Sequence, residues 1–262
     1  MNGTIGEREP DCWLDVSGFA VPLWLRGSVK KAKRVVILSH GLTNDHRDAP
    51  LFGDVRQAFS EDETTTLIDF DYPGSGIADG KLIDKRLSIL RETAIAVAHH
   101  ARMRSSHRSL PISAIGRSLG ATVLLSVSPQ IQVSRLALMS PPFELVRSLG
   151  PLQGERSADG GYPLPEWAEP SGQVKGRAAL SYDFYEELEA EEARAREAAV
   201  RAGNILLISS TEDPKVQASE MDALWSVLSE NPSNSRAIFA SDHNYDSVRQ
   251  EVTDMAVRWV KR

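Results

Sequence analysis

The sequence predicts an α/β fold: a mostly parallel eight-stranded sheet flanked by helices, in a single domain covering residues 1–262. Three observations carry this. Short runs rich in branched apolar residues recur along the chain, as expected of strands buried on both faces. Helix-like stretches lie between them, and alternation of the two implies parallel strands joined by right-handed crossovers. The chain has 262 residues, of which 41% are apolar and 25% charged, enough for one large domain with a continuous core.

The elements follow in order. Trp13 to Val16 and Phe19 to Leu25 are β-prone and split by Ser17-Gly18, which predicts an opening antiparallel hairpin. Buried strands are then expected at Val35 to Leu38, Thr65 to Ile68, Pro111 to Ile115, Leu136 to Leu138 and Ile205 to Ile208, with a last strand at Ala237 to Phe239. Helices are expected at Ala49 to Phe59, Leu87 to Arg104, Leu119 to Val127, Val216 to Leu228 and Tyr245 to Val260. Residues 140–203 break the rhythm, separating two strands by more than one crossover helix needs, and read as an insertion after the sixth strand. Its first part is rich in Gly and Pro, and Asp183 to Arg201 is an Ala, Glu and Arg helix with little apolar face. Two readings stay open: a lid that supplies substrate-binding residues, or a solvated excursion with no part in binding.

Composition narrows the partners. A net charge of −6 with scattered Lys and Arg argues against nucleic acid. No apolar run approaches the ~20 residues of a membrane span, and Met1 to Asp15 has no basic start followed by an apolar stretch, so a cytoplasmic protein with no membrane partner is expected. Cys12 is the only cysteine, which excludes an internal disulfide, and it receives no role. Composition leaves the oligomeric state open.

Chemistry is concentrated at predicted strand ends. Gly116-Arg117-Ser118-Leu119-Gly120 lies between a strand and an apolar helix, the context of a nucleophile elbow, where small residues flanking Ser118 relieve clashes in a strained turn. Ser39-His40-Gly41-Leu42-Thr43 follows the strand Val35 to Leu38, and the backbone N–H groups of Leu42 and Leu119 are the candidate oxyanion donors, with His40 architectural. Asp213 stands just past the strand Ile205 to Ile208, placed either to orient an imidazole or to cap the following helix; Glu212 is the rival acid. His243, after the last strand, completes the order Ser, Asp, His. His99, His100 and His107 fall on or beyond the helix Leu87 to Arg104, and His46 in the polar loop Thr43 to Asp48; all are expected at solvated positions, His46 within reach of the pocket mouth. Ser75 is expected to be exposed but lacks the elbow context.

These motifs in this order resemble the α/β-hydrolase superfamily, over a span from about Trp13 to Val260. Within it, His40-Gly41-Leu42-Thr43-Asn44 and Asp69 to Gly76, trailed by Asp79-Gly80-Lys81, look like the bacterial feruloyl and cinnamoyl esterases, which cleave esters of aromatic acids. The chain departs from that group at Ser210, where a glycine is usual, and at Arg117, where His or Tyr is more frequent. The resemblance implies an acyl-enzyme on Ser118, a small-molecule ester or acyl substrate, and no metal or organic cofactor. Acyl transfer, thioester cleavage or acyloxy elimination with the same residues is the alternative, and a non-catalytic binding role is a third.

Overall fold

The computed structural model describes residues 8–27, 31–47, 49–104, 110–168, 176 and 178–262. β1 (Cys12–Val16) and β2 (Phe19–Arg26) pair antiparallel, turning through Ser17 and Gly18 at φ 52° and 84°. There follow β3 (Arg34–Ser39), α1 (Ala49–Ala58), β4 (Thr65–Phe70), α2 (Leu87–Arg104), β5 (Ile112–Arg117), α3 (Leu119–Ile131) and β6 (Val133–Met139). The chain continues through α4 (Leu145–Leu149), β7 (Tyr162–Pro163), β8 (Ala179–Leu180), α5 (Tyr182–Glu186) and α6 (Leu188–Arg201) to β9 (Ile205–Ser210), α7 (Ala218–Leu228), β10 (Ser235–Phe239) and α8 (Arg249–Lys261).

Eight strands form one sheet in the order β1-β2-β4-β3-β5-β6-β9-β10, parallel from β4 onward. The inner strands are mostly apolar because both faces are covered, whereas the edge strands β1 and β10 are partly exposed. On one side Leu87, Val97, Leu124 and Leu224 of α2, α3 and α7 share a core with the sheet, and Leu188 of α6 joins it over α3; on the other, Leu51, Phe52, Val252 and Val260 of α1 and α8 form the second core. This is the α/β architecture expected, with its C-terminal strand ends gathered along one edge where ligands of such sheets bind.

Three boundaries differ from expectation for local reasons. α8 begins at Arg249 rather than Tyr245, because Tyr245 is held at φ 60°, a left-handed conformation a helix cannot contain. α7 begins at Ala218, because the carboxylate of Asp213 binds the N–H groups of Lys215 and Val216 at 2.8 and 2.9 Å and keeps that turn non-helical. The single helix expected over Asp183 to Arg201 is two, α5 and α6.

α6 does have a buried face, made of Leu188, Glu191, Ala195, Ala198 and Ala199, and it packs against α3. The Ser126 hydroxyl of α3 donates to Glu191 at 2.5 Å, and Arg91 of α2 lies 3.3 Å away. A seam of alanines and a paired carboxylate has almost no hydrophobic signature, so it reads as a solvated helix although one face is buried against α3. The root at the other end of residues 140–203 is pinned too. Glu220 of α7 accepts the N–H groups of Phe143 and Glu144, both at 3.1 Å, and the Ser148 hydroxyl at 2.6 Å. α4 belongs to that root through Ser148, and between the two anchors lie the small β7–β8 hairpin and α5.

No helix among the described residues is long and apolar enough to cross a membrane.

Candidate active site

β5 ends in Arg117, and the next residue, Ser118, adopts φ 53° and ψ −133° before α3 starts at Leu119. A non-glycine residue in that region stores on the order of 1–3 kcal/mol, tolerable only where surroundings fix the turn. They do so here. The Ser118 N–H donates to the Met139 carbonyl of β6 at 2.8 Å, and the Ser118 carbonyl accepts from Ala121 at 2.9 Å. The flanking glycines are required by close approach: a Cβ on Gly116 would lie 2.6 Å from Ala121 Cα, and one on Gly120 only 2.2 Å from the His40 carbonyl oxygen. The Ser118 side chain is thereby held, partly buried, at the first turn of α3, where the Leu119 and Gly120 N–H groups have no intrahelical acceptor.

The loop after β3 meets this turn. A Cβ on Gly41 would stand 3.1 Å from Asn44 Oδ1 and 3.3 Å from Ser118 Cβ, so the loop backbone runs in close contact with the elbow. His40 is buried beneath, its Nδ1 2.8 Å from the Gly41 carbonyl and its Nε2 accepting the Tyr72 N–H at 3.1 Å. Because an amide can only donate, Nε2 must be the acceptor and Nδ1 carries the proton. Both ring nitrogens of His40 are bonded to backbone, and the carbonyl it holds shares a peptide plane with the Leu42 N–H. Ser39 ties the same corner to the elbow. Its hydroxyl donates to the Gly120 carbonyl at 3.1 Å and therefore accepts from Tyr72 Oη at 2.7 Å.

The acid and base meet beyond β9 and β10. His243 Nδ1 lies 2.7 Å from Asp213 Oδ2, and because a carboxylate only accepts, Nδ1 is the donor and Nε2 is left with its lone pair. Asp213 does not cap the following helix, which starts at Ala218; its other oxygen holds the Lys215 and Val216 amides in the turn before it. Burial opposes ionisation of Asp213, but the hydrogen bonds from His243 and those two amides outweigh it and hold its pKa below the ordinary carboxylate value. Burial also disfavours the imidazolium of His243; Asp213 counters this, Arg117 and Lys215 add to it, and the net shift is downward. Glu212, the rival acid, is exposed to solvent. Arg117 donates to the Asn244 side chain. The immediate neighbours of Ser118 and His243 are thus bonded to each other, which draws the two turns together across the ends of β6 and β9. Ser210 is buried, with its hydroxyl donating to the Ser241 carbonyl at the start of the His243 loop.

A polar cluster beside the β3 loop corrects two expectations. Ser75 is not exposed but fully buried, accepting a hydrogen bond from Lys85 Nζ at 2.6 Å. His46 is not solvated: it stacks on Trp24 at 3.6 Å between centroids, and its Nδ1 lies 2.9 Å from Asp71 Oδ1. Asp45, His46 and Asp71 bring three metal-ligating atoms within 4.8 Å of one another. Their carboxylates are already engaged, Asp71 by His46 and by the amides of His46 and Ile77, Asp45 by Arg47 at 2.8 Å. Of the remaining histidines, His99 is exposed, His100 is partly buried with its Nε2 3.5 Å from Cys12 Sγ, and His107 lies outside the described residues. Nothing in the sequence singles out Lys85, which sits in an ordinary polar connector.

No protein-family model matches the chain, and no curated protein matches it in sequence. Its fold is shared with many solved structures. Est1E from Butyrivibrio proteoclasticus, solved with ferulic acid bound, superposes with a TM-score of 0.73 at 17% identity, covering 96% of this chain and 100% of that one. The esterase Pf2001 of Pyrococcus furiosus gives 0.69 at 17% identity over 95% and 88% of the two chains. A monoacylglycerol lipase of Paleococcus ferrophilus gives 0.65 at 14% identity over 91% and 99%. The fold is the α/β-hydrolase fold.

Proposed function

We propose that this protein is a carboxylic-ester hydrolase that works through an acyl-enzyme on Ser118, with His243 as general base and Asp213 as the group that orients it. The observation that carries this reading is the Asp213–His243 hydrogen bond of 2.7 Å, made in the turn that Arg117 and Asn244 tie to the strained Ser118 elbow. Burial and nearby cations keep His243 neutral, the form that removes the Ser118 proton. The N–H groups of Leu42 and Leu119 receive the developing oxyanion, two fixed donors each contributing about 3 kcal/mol to the transition state. Water then resolves the acyl group, with His243 as its base. No step needs a metal or organic cofactor.

For the substrate, the ferulic acid held by Est1E supports an ester of an aromatic acid, in agreement with the likeness of the Asp69 to Gly76 segment to the feruloyl and cinnamoyl esterases. Residues 140–203 supply the acyl-side contacts. Since both roots of that stretch are fixed to the core through Glu220 and Glu191, the lid portion is the part between them, from the end of α4 to α5. The test is turnover of a chromogenic short-chain and aromatic ester panel together with labelling by a serine-directed phosphonate. Ser118→Ala is expected to abolish both, and undiminished turnover by that variant refutes the reading.

A further inference from the structure

We propose that Lys85 is a positioning residue for the oxyanion site, fixing the backbone of Leu42 through a hydrogen bond from a lysine sealed inside the protein. This rests on the proposed role of the Leu42 N–H and adds the device that aims it. Lys85 follows a short turn at Leu82–Asp84 and is 1% exposed, with Nζ donating to the Leu42 carbonyl and to Ser75 Oγ. No carboxylate lies within ion-pairing distance of Lys85 among the described residues. Asp71 and Asp45 act on it only through space, and each is already bonded, to His46 and to Arg47.

That arrangement is unusual for a lysine kept for stability. A buried ammonium whose partners are a neutral carbonyl and a hydroxyl gives up hydration that those partners only partly replace. The strain registers in its acidity: burial pushes Lys85 down to about 7, against the two aspartates that hold it up. An apolar side chain of the same length would fill the space without that penalty. What the lysine supplies beyond filling space is a grip on Leu42, anchored through Ser75 to the glycine-rich turn after β4.

The grip matters because of which peptides it completes. His40 Nδ1 holds the Gly41 carbonyl, in the peptide that carries the Leu42 N–H, and Lys85 holds the Leu42 carbonyl in the next one. With both planes clamped, the φ and ψ of Leu42 cannot drift, and its N–H stays aimed beside Ser118 while charge develops. Removing an oxyanion donor costs about 10²- to 10³-fold in kcat. Loosening one without deleting it costs less, on the order of 10- to 100-fold.

The experiment compares wild type with Lys85→Met and Lys85→Gln, measuring kcat and KM on one chromogenic ester, the phosphonylation rate of Ser118, and the melting temperature. Both variants are expected to lose about 10- to 100-fold in kcat and in phosphonylation rate together, with KM within about 3-fold and cooperative unfolding retained. Glutamine, which still donates, should lose less than methionine. A folded variant with wild-type kcat overturns the proposal, as does failure of both variants to fold, since the lysine then serves stability. If wild type itself is not labelled at Ser118, the hydrolase reading has failed instead, and the two failures are distinct.

Discussion

Gly120→Ala tests whether the contact between the elbow and the β3 loop sets the geometry of the site. The added methyl would lie 2.2 Å from the His40 carbonyl oxygen, 2.5 Å from the Ser39 carbonyl oxygen and 2.6 Å from Ser39 Oγ. Two of these three are backbone atoms and cannot rotate away. Unbonded carbon and oxygen need about 3 Å or more, so the start of α3 and the end of β3 must part by roughly 1 Å. Forcing atoms into a packed interior costs about 1–3 kcal/mol, and rigid obstacles put this case at the upper end. For a chain of this size that lowers the melting temperature by about 6–12 °C. The same displacement moves Leu42 and Leu119 apart, and a 1 Å error in catalytic geometry lowers kcat by about 10²-fold. Gly53→Ala is the control. In the middle of α1 its methyl meets nothing closer than 3.9 Å, and alanine should stabilise the helix by roughly 0.5–1 kcal/mol with kcat unchanged. The assay is thermal unfolding followed by circular dichroism beside ester turnover. If Gly120→Ala melts and turns over like wild type, the β3 loop is not what positions the elbow.

Two further outcomes follow from the acid–base pair. His243 must be neutral to accept a proton, and burial with Arg117 and Lys215 lowers its pKa below the ordinary 6.5, so activity should persist to lower pH than a solvated imidazole allows. The acid limb of kcat/KM is expected to have its midpoint below 6.5, and a midpoint above it shows that Asp213 dominates instead. Asp213→Asn should lower kcat by about 10⁴-fold. The asparagine oxygen will keep the Lys215 and Val216 amides, which turns its NH₂ toward His243 Nδ1 and drives the imidazole proton onto Nε2, the nitrogen that has to act as base. Near-normal turnover would show that His243 takes its orientation from elsewhere.

The parts of this molecule legible in its sequence are those where one residue type is needed at one strand end. The buried strands read as apolar runs, and Ser118, Asp213 and His243 stand just beyond three of them in chain order. What escaped reading depends on contacts between segments distant in sequence. α6 hides its buried face behind alanines and a carboxylate whose partners, Ser126 and Arg91, belong to other helices. Ser75 sits in a glycine-rich turn that implies exposure, until Lys85 is seen to close over it. His46 acquires its neighbours only when β2 brings Trp24 alongside. Each of these is a polar or small residue buried by a partner, and local pattern does not encode partners.

The same distinction explains how the fold persists at 17% identity to Est1E. In the proposed site the groups that receive the oxyanion are backbone amides, and the contacts that place them run through backbone as well: Ser118 N–H to Met139, His40 to Gly41, Lys85 to Leu42. Side-chain identity is demanded at the nucleophile, its base and acid, the glycines pressed against them, and the few clamps on the loop. Elsewhere any sequence that keeps the sheet suffices. The stretch from the end of α4 to α5 illustrates this freedom, since its anchors at Glu220 and Glu191 hold the two roots whatever lies between. Under the proposed function, a pocket wall built there could change without moving Ser118, leaving the acyl group accepted free to vary while the chemistry stayed fixed.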